Sequence, residues 1–357
     1  MELVKKYYWG PVLVMFAAAL WAFDGLLRTG LTADIPSVAI VFYEHLFGFV
    51  LLSPIFFSSL KTFRKLSSAD WLRLIFLTIV SSVLGTLLFT EALGRSFASG
   101  DFATPILLQK LQPIFVIGLA AIFLKERITF RYIALVPIAL IGSYMISFGV
   151  DPVALSLDGK ELVYILSIGA ALAWGSGTIL SKSILQKLSF AQATAMRFFL
   201  AMPIGLIALL LLNKWFPPMD FSWEHIWRFI VIAFTTGAGA VLIYYRGLKE
   251  TPARVATIAE LTFPIVAILI AISSLNPYGE PQQFSLANGF GISLVLISML
   301  LISFDQGIKK TEISTATSKT LFLPTLPTPL PPHTVEHSDT DVSGKRDIAP
   351  TSTGFLS

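Results

Sequence analysis

Long apolar runs alternate with short polar stretches along most of the chain. A membrane-spanning helix needs about 20 mostly apolar residues. Ten runs meet this requirement, at about 9–28, 37–58, 71–93, 101–124, 130–150, 160–181, 190–213, 224–248, 253–275 and 284–305. Turn signals such as Asp151-Pro152 and Pro217-Pro218 separate the runs. The pattern predicts an all-α integral membrane protein with ten transmembrane helices and short connections.

The apolar pattern of the first half recurs in the second half. Three pairs of positions match at offsets of 153, 155 and 151 residues: Trp21 with Trp174, Leu93 with Leu248, and Pro113 with Pro264. Each half would hold five spans, and a duplicated unit with an odd number of spans inserts upside down relative to its twin. The sequence therefore predicts two inverted five-helix repeats, over residues 1–150 and 158–306. This architecture recurs in secondary transporters.

Basic residues are concentrated in alternate connections. With a cytoplasmic N-terminus, the cytoplasmic side holds fifteen cations: Lys5, Lys6, Lys61, Arg64, Lys65, Arg73, Lys125, Arg127, Arg131, Lys182, Lys187, Lys249, Arg254, Lys309 and Lys310. The opposite side holds five: Arg28, Arg95, Lys160, Lys214 and Arg228. Because basic loops are retained in the cytoplasm, we expect both termini there, in a plasma or inner membrane.

Composition supports the membrane assignment and excludes several function classes. The chain is 55% hydrophobic and 13% charged, whereas soluble domains carry about 25% charged residues. The net charge of +4 comes from cations scattered among short loops, which argues against a nucleic-acid partner. The sequence contains no cysteine, no Walker-type phosphate loop and no HExxH zinc motif. We therefore expect neither a metal nor a cofactor.

The last part of the chain has a different composition. Residues 307–357 are rich in serine, threonine and proline. Such a segment buries too little apolar surface to offset the entropy lost on ordering. We expect it to be a disordered cytoplasmic tail.

Charged residues occur within the predicted spans, where burial in lipid costs several kcal/mol. They are Asp24, Glu44, His45, Glu91, Lys110, Arg197, Arg246 and Glu260. The repeat makes Glu44 equivalent to Arg197, and Glu91 equivalent to Arg246, so equivalent positions carry opposite charges. Two interpretations are open. These residues either form internal ion pairs that hold the bundle together, or line a shared cavity that binds substrate.

The charged residues differ in how far they lie from the ends of their spans. Lys110, Glu44 and Glu260 are therefore better candidates for lining a cavity than Glu91 and Arg246. Glu91 and Arg246 lie near span ends, where their side chains could reach water.

Arg197 and Glu44 each allow an additional interpretation. Arg197 follows four small or flexible residues at 193–196, a context that also suits close helix packing. Glu44, with His45 beside it, could bind a proton in one state of a transporter and release it in another. Proton coupling is therefore a further expectation.

Aromatic residues and prolines also fall at equivalent places. Trp21 and Trp174 lie well inside the first and sixth spans, away from the interfaces where aromatic belts form. They suit either helix packing or a cavity wall against which a substrate stacks. Pro113 and Pro264 lie in the fourth and ninth spans, where a proline removes a backbone hydrogen bond and permits a kink. Both prolines are candidate hinges.

At these residues the chain resembles the drug/metabolite transporter superfamily, and in particular its EamA-type members. The resemblance rests on the segments that open each half at 18–21 and 171–175, on Arg197, on the proline-centred segments 110–115 and 260–264, and on the closing segments 123–127 and 277–280. It covers about residues 9–305. Glu44 departs from the family pattern, in which an arginine like Arg197 is usual.

The resemblance implies ten helices around a central cavity, and secondary transport of small organic metabolites, often outward, without enzymatic activity. The partners would be membrane lipid and a small-molecule substrate that is amino-acid-like or drug-like. Two alternatives stay open. One is a channel or scaffold without coupled transport, and the other is a membrane-embedded enzyme, which would need an acid–base or metal cluster on one leaflet.

Overall fold

The computed structural model describes residues 2–32, 34–99, 103–152, 159–276 and 280–302. Nine helices in this part are long and apolar enough to cross a membrane, and a shorter apolar helix follows them. In chain order these first to tenth spans are Trp9–Thr32, Ser37–Ser58, Ser68–Ser96, Thr104–Phe123, Phe130–Phe148, Glu161–Ile184, Phe190–Leu211, Trp223–Glu250, Ala253–Ala271 and Leu286–Ile302. No strand occurs among the described residues.

The predicted fold class is therefore confirmed: an all-α membrane protein with ten apolar helices in two five-helix repeats. The repeat boundaries at 150 and 158 stay a prediction. The tail predicted at 307–357 lies outside the described residues.

Serines start four of the described spans. Ser67, Ser189, Ser222 and Ser285 each accept a hydrogen bond from the backbone N–H three residues later, and the side chain of that later residue bonds back to the serine N–H. Such a capping box satisfies backbone donors that have no partner within the helix. Each serine cap stabilises its helix by about 1 kcal/mol. The starts of the third, seventh, eighth and tenth spans are thereby fixed.

The fourth and ninth spans are each broken into two shorter helices. The fourth consists of Ala103–Gln109 and Gln112–Phe123, and the ninth of Ala253–Ala259 and Thr262–Ala271. Pro113 and Pro264 lie in the first turn of the helix that follows each break. Because proline has no N–H to donate, it cannot continue the hydrogen-bond pattern of the preceding turn. The breaks leave Lys110 and Glu260 at equivalent, irregular positions of the two repeats.

The third and eighth spans are also irregular at equivalent places. The third contains a π-helical segment, Thr78–Leu84. The eighth is interrupted between the helices Trp223–Phe234 and Ala238–Glu250. A Cβ atom on Gly239 would lie 1.9 Å from the Phe234 carbonyl oxygen, so the interruption requires glycine there.

Helices of opposite repeats pack against each other in matching combinations. The second span packs against the seventh, the first against the second half of the eighth, and the sixth against the second half of the third. The last two combinations are repeat equivalents of each other. Small residues permit close approach: a Cβ on Gly247 would lie 2.6 Å from the Gly10 carbonyl oxygen. The two repeats are therefore interleaved around a common centre.

Candidate functional site

Two adjoining cavities lie between the repeats. The central cavity has a volume of about 220 Å³ and the end cavity about 280 Å³. Both are lined by Trp21, Asp24, Arg28, Phe89 and Phe263. Ligand pockets for small organic molecules measure about 300–1,000 Å³, so the two cavities together suit a ligand of that class.

Two equivalent aromatic pairs form walls of the central cavity. The ring of Trp21 lies 5.2 Å from that of Tyr244, and the ring of Trp174 lies 5.2 Å from that of Phe89. Phe89 and Tyr244 precede the matching residues Leu93 and Leu248 by four positions each. Each tryptophan therefore packs on the equivalent aromatic residue of the opposite repeat. The two tryptophans that sequence analysis singled out both face the cavity.

An ion-pair cluster joins the first and second spans. The Arg28 guanidinium bonds to Asp24, and its Nη2 donates to Glu44 Oε2 at 2.9 Å. Asp24 also accepts a hydrogen bond of 2.8 Å from Thr236, which lies in the interruption of the eighth span. Arg28 is only 7% exposed. Glu44, one of the predicted site residues, thus has a cation partner.

The position of Arg28 corrects the sequence-based assignment of this residue to a loop. After a turn at Phe23, the first span continues as the helix Asp24–Thr32. The apolar run had been expected to end near residue 28. The added helical turn carries Arg28 inward, where the two carboxylates offset its charge.

Arg197 is held by hydroxyl groups. Its guanidinium donates to Ser81 at 3.0 Å and to Tyr245 at 2.9 Å, and it also bonds to Ser82. The two serines are consecutive and belong to the π-helical segment of the third span. The wider turn of a π-helix, a feature frequent at functional sites, directs both side chains to one partner.

Glu260 lines the central cavity at the break in the ninth span. Its carboxylate accepts hydrogen bonds from Tyr244 at 2.8 Å and from Gln112 at 2.9 Å. Gln112 is the first residue after the break in the fourth span, so the two broken helices are linked directly. In the described part of the chain, the hydrogen-bond partners of Glu260 are both neutral.

Lys110 lines the end cavity at the equivalent break in the fourth span. Its ammonium bonds to Ser147 and lies 5.9 Å from the centre of the Phe148 ring. Lys110 is 9% exposed, and among the described residues no carboxylate pairs with it. The two breaks therefore present opposite charges, each held by neutral groups.

The other predicted residues divide into two groups. His45 lines the central cavity, where its Nδ1 contacts the Val41 carbonyl at 2.8 Å and its ring lies 5.0 Å from Phe198. Glu91 and Arg246 line neither cavity.

These last two residues are placed at the outside of the bundle. Glu91 pairs with Arg95 at 2.9 Å on one exposed helix face. Arg246 is exposed and lies 5.5 Å from the Phe190 ring. Their positions near span ends let both side chains reach water, as the sequence had suggested.

Sequence reasoning missed several cavity residues. They are Arg28, Ser81, Phe89, Gln112, Thr178, Thr236 and Tyr244. The offset of 155 between Phe89 and Tyr244 was a usable signal, since both flank residues that anchored the repeat. The serines could not be found in this way, because the π-helical turn that directs them is a property of the folded span.

Comparison with known proteins decides the family. The model of the EamA-like transporter family matches residues 8–148 and 161–304. The chain belongs to this family. It is 34% identical over 295 residues to the riboflavin transporter ImpX of Fusobacterium nucleatum subsp. nucleatum, covering 82% of this chain and 98% of that protein.

Two other similarities agree with this result. An uncharacterized transporter of Synechocystis sp. is 25% identical, covering 84% of this chain and 86% of that protein. A solved crystal structure at 13% identity superposes with a TM-score of 0.65 over 83% of this chain and 96% of that one. The last similarity concerns the fold alone.

Family membership gives the general activity. The EamA-like protein is a multi-pass membrane transporter, and its partners are a small-molecule substrate and the membrane. Its transporter relatives point away from an enzyme. No group of histidine and acidic residues able to hold a metal occurs among the residues that the structure describes.

Proposed function

We propose that this EamA-like protein is a secondary transporter, working by alternating access, for planar heteroaromatic metabolites of the riboflavin class. The observation that carries the proposal is the pair of equivalent aromatic walls, Trp21 with Tyr244 and Trp174 with Phe89, facing one cavity. Aromatic faces favour stacking with flat rings. Similarity to a riboflavin transporter supports the same substrate class.

Polar groups around these walls suit a flat ring that carries carbonyls and a hydroxylated chain. Lys110 offers ammonium donors in the end cavity. Arg28 lines both cavities, and its Nη1 is buried without a hydrogen-bond partner among the described residues. Both donors would serve carbonyl or hydroxyl oxygens. This substrate is narrower than the amino-acid-like or drug-like solutes expected from the sequence.

Proton coupling is the second part of the proposal, and we assign it to Glu260 rather than Glu44. Arg28 already offsets the charge of Glu44 at 2.9 Å. Among the residues that the structure describes, Glu260 is held only by the neutral donors Tyr244 and Gln112. A carboxylate in this setting can gain or lose a proton without breaking an ion pair. Its place at a helix break, where coupling ions bind in other transporters, supports the assignment.

The proposal also includes the direction of transport and the orientation of the chain in the membrane. We infer export from the usual behaviour of the family that the sequence resembles, and cytoplasmic termini from the bias of loop cations. The membrane would be the plasma or inner membrane. Exchange of an outward-moving solute for an entering proton would then use the proton gradient.

The proposal is tested with purified protein in vesicles loaded with riboflavin. We expect saturable riboflavin flux that increases when a pH gradient is imposed across the membrane. Flux by Glu260→Gln should be insensitive to the gradient. Glu161→Gln, which removes an exposed carboxylate at the start of the sixth span, should respond as the parent does.

A different experimental result would contradict each part of the proposal. Absence of riboflavin flux in the parent would reject the substrate class. Flux proportional to concentration without saturation would favour a channel. A gradient response retained by Glu260→Gln would place the coupling proton on another residue.

A further inference from the structure

Two inter-repeat contacts outside the cavities occupy equivalent positions. Lys187 contacts Asp70 with its Nζ 2.7 Å from Oδ1, and His225 contacts Asp34 with its Nε2 3.3 Å from Oδ2. Asp34 and Lys187 are 153 residues apart, and Asp70 and His225 are 155 apart. The offsets match those of the repeat. The two contacts are therefore one contact made twice, with acidic and basic roles exchanged.

Each contact begins at a capping box. Asp70 closes the box of Ser67 at the start of the third span, and His225 closes the box of Ser222 at the start of the eighth. The same side chain thus fixes the start of a helix and holds the opposite repeat. The bound residue lies in each case in the connection between the first two spans of the other repeat.

The contacts lie at opposite ends of the bundle. Asp70, at the start of the third span, and Lys187, in the connection before the seventh, lie on the side of the N-terminus. Asp34, in the connection before the second span, and His225, at the start of the eighth, lie on the other side, because the chain crosses once with each span. We call Asp70–Lys187 the first gate and Asp34–His225 the second gate.

The two gates differ in tightness. Asp70 is 2% exposed, and it accepts bonds of 2.7 Å from Lys187 to both oxygens and one of 3.1 Å from Arg73. The Asp34 side chain is 64% exposed, and its contact with His225 measures 3.3 Å. In this structure the first gate is held firmly and the second gate loosely.

A further contact between the repeats lies at the same end of the bundle as the first gate. Glu126, after the fourth span, accepts hydrogen bonds from the backbone N–H groups of Ala253 at 2.8 Å and Arg254 at 3.2 Å. The end cavity, in contrast, reaches Thr32 and Asn276 on the side of the second gate. The cavity and the loose gate lie at the same end.

We propose that the two contacts are alternating gates, the first closed here while the cavity faces the end of the second gate. Exchanging the conformations of the two repeats produces the opposite state. The second gate is then tight and the first is open. This inference rests on the proposed alternating access, but its test requires no substrate.

The test measures the reactivity of single cysteines in purified protein, since the chain has none of its own. Ala271→Cys reports on the end cavity, and Ser181→Cys reports on the central cavity near the end of the first gate. Lys187→Glu should raise labelling of Ser181→Cys and lower that of Ala271→Cys, so that the ratio of the two labelling rates changes about fivefold, the upper range for one partly exposed ion pair. Adding Asp70→Lys re-forms the ion pair with reversed charges, although the Ser67 capping box is lost, and should move the labelling of both reporters back toward the parent pattern.

Two further variants keep the test decisive. Asp34→Asn changes an exposed side chain, so folding is not at risk, and it should lower labelling of Ser181→Cys by disfavouring the opposite state. Arg95→Ala breaks an exposed pair within one helix and should change neither reporter. Unchanged labelling in Lys187→Glu, or identical shifts in Lys187→Glu and Asp34→Asn, would overturn the proposal. If the parent shows no riboflavin flux but the variants shift labelling as expected, the proposed substrate class is rejected and the proposed gates are retained.

Discussion

Arg28 shows how one residue changes the interpretation of its neighbours. It offsets Asp24 and Glu44 together while lining both cavities. The sequence identified both carboxylates as charged residues at membrane depth, but it placed Arg28 in a loop. The error came from the turn at Phe23, after which the helix resumes. Apolar periodicity cannot reveal a polar helical turn whose charges are offset only by tertiary contacts.

Removing Arg28 should destabilise the protein, because two carboxylates lose their cation. We expect Arg28→Met to lower the free energy of unfolding by about 3–5 kcal/mol, the range for breaking a buried ion pair from one side. Arg28→Met/Glu44→Gln should recover part of this loss, since the second charge is also removed. Thermal unfolding in detergent measures both.

The matched control is Arg95→Met, which breaks the exposed Glu91–Arg95 pair. Its effect should stay below about 1 kcal/mol. If the double variant were no more stable than Arg28→Met, the charge on Glu44 would not be the source of the loss.

At the level of elements, the irregular helices define the site. The prolines indicated where the fourth and ninth spans would be weakened. The structure breaks both spans within one turn before Pro113 and Pro264. The π-helical segment at Thr78–Leu84 carried no comparable signal, since no proline or glycine lies within it. The sequence therefore predicted the breaks marked by proline. It missed the π-helical turn, whose serines contact Arg197 from the opposite repeat.

Gly239 should be indispensable to the interruption of the eighth span. In Gly239→Ala the new Cβ would lie 1.9 Å from the Phe234 carbonyl oxygen, so the backbone must shift and Thr236 should lose its bond to Asp24. We expect a clear fall in the unfolding temperature together with impaired transport.

Gly118→Ala provides the comparison, because a Cβ there meets nothing within 4 Å. Within the helix Gln112–Phe123 this change should be neutral or stabilising by about 0.5–1 kcal/mol. Equal effects of the two substitutions would show that the close approach at Gly239 does not matter.

At the scale of the whole molecule, internal symmetry was the most informative property of the sequence. The offset near 153 was visible in Trp21 and Trp174, and it also relates the aromatic pairs, the charged helix breaks and the two gates. What symmetry could not supply is the difference between the halves. Which gate is tight depends on the conformation of the folded protein, and the same sequence pattern is compatible with either state.

The distribution of loop cations predicts the orientation of the protein in the membrane. Moving Arg28 into the bundle leaves four cations on the outer side against fifteen inside, so the bias becomes stronger. Single cysteines can replace the exposed residues Lys61, Gln186, Lys214 and Ser274. In intact cells, a membrane-impermeant thiol reagent should label Lys214→Cys and Ser274→Cys. It should reach Lys61→Cys and Gln186→Cys only after the cells are permeabilised, and the reverse pattern would invert the assigned orientation.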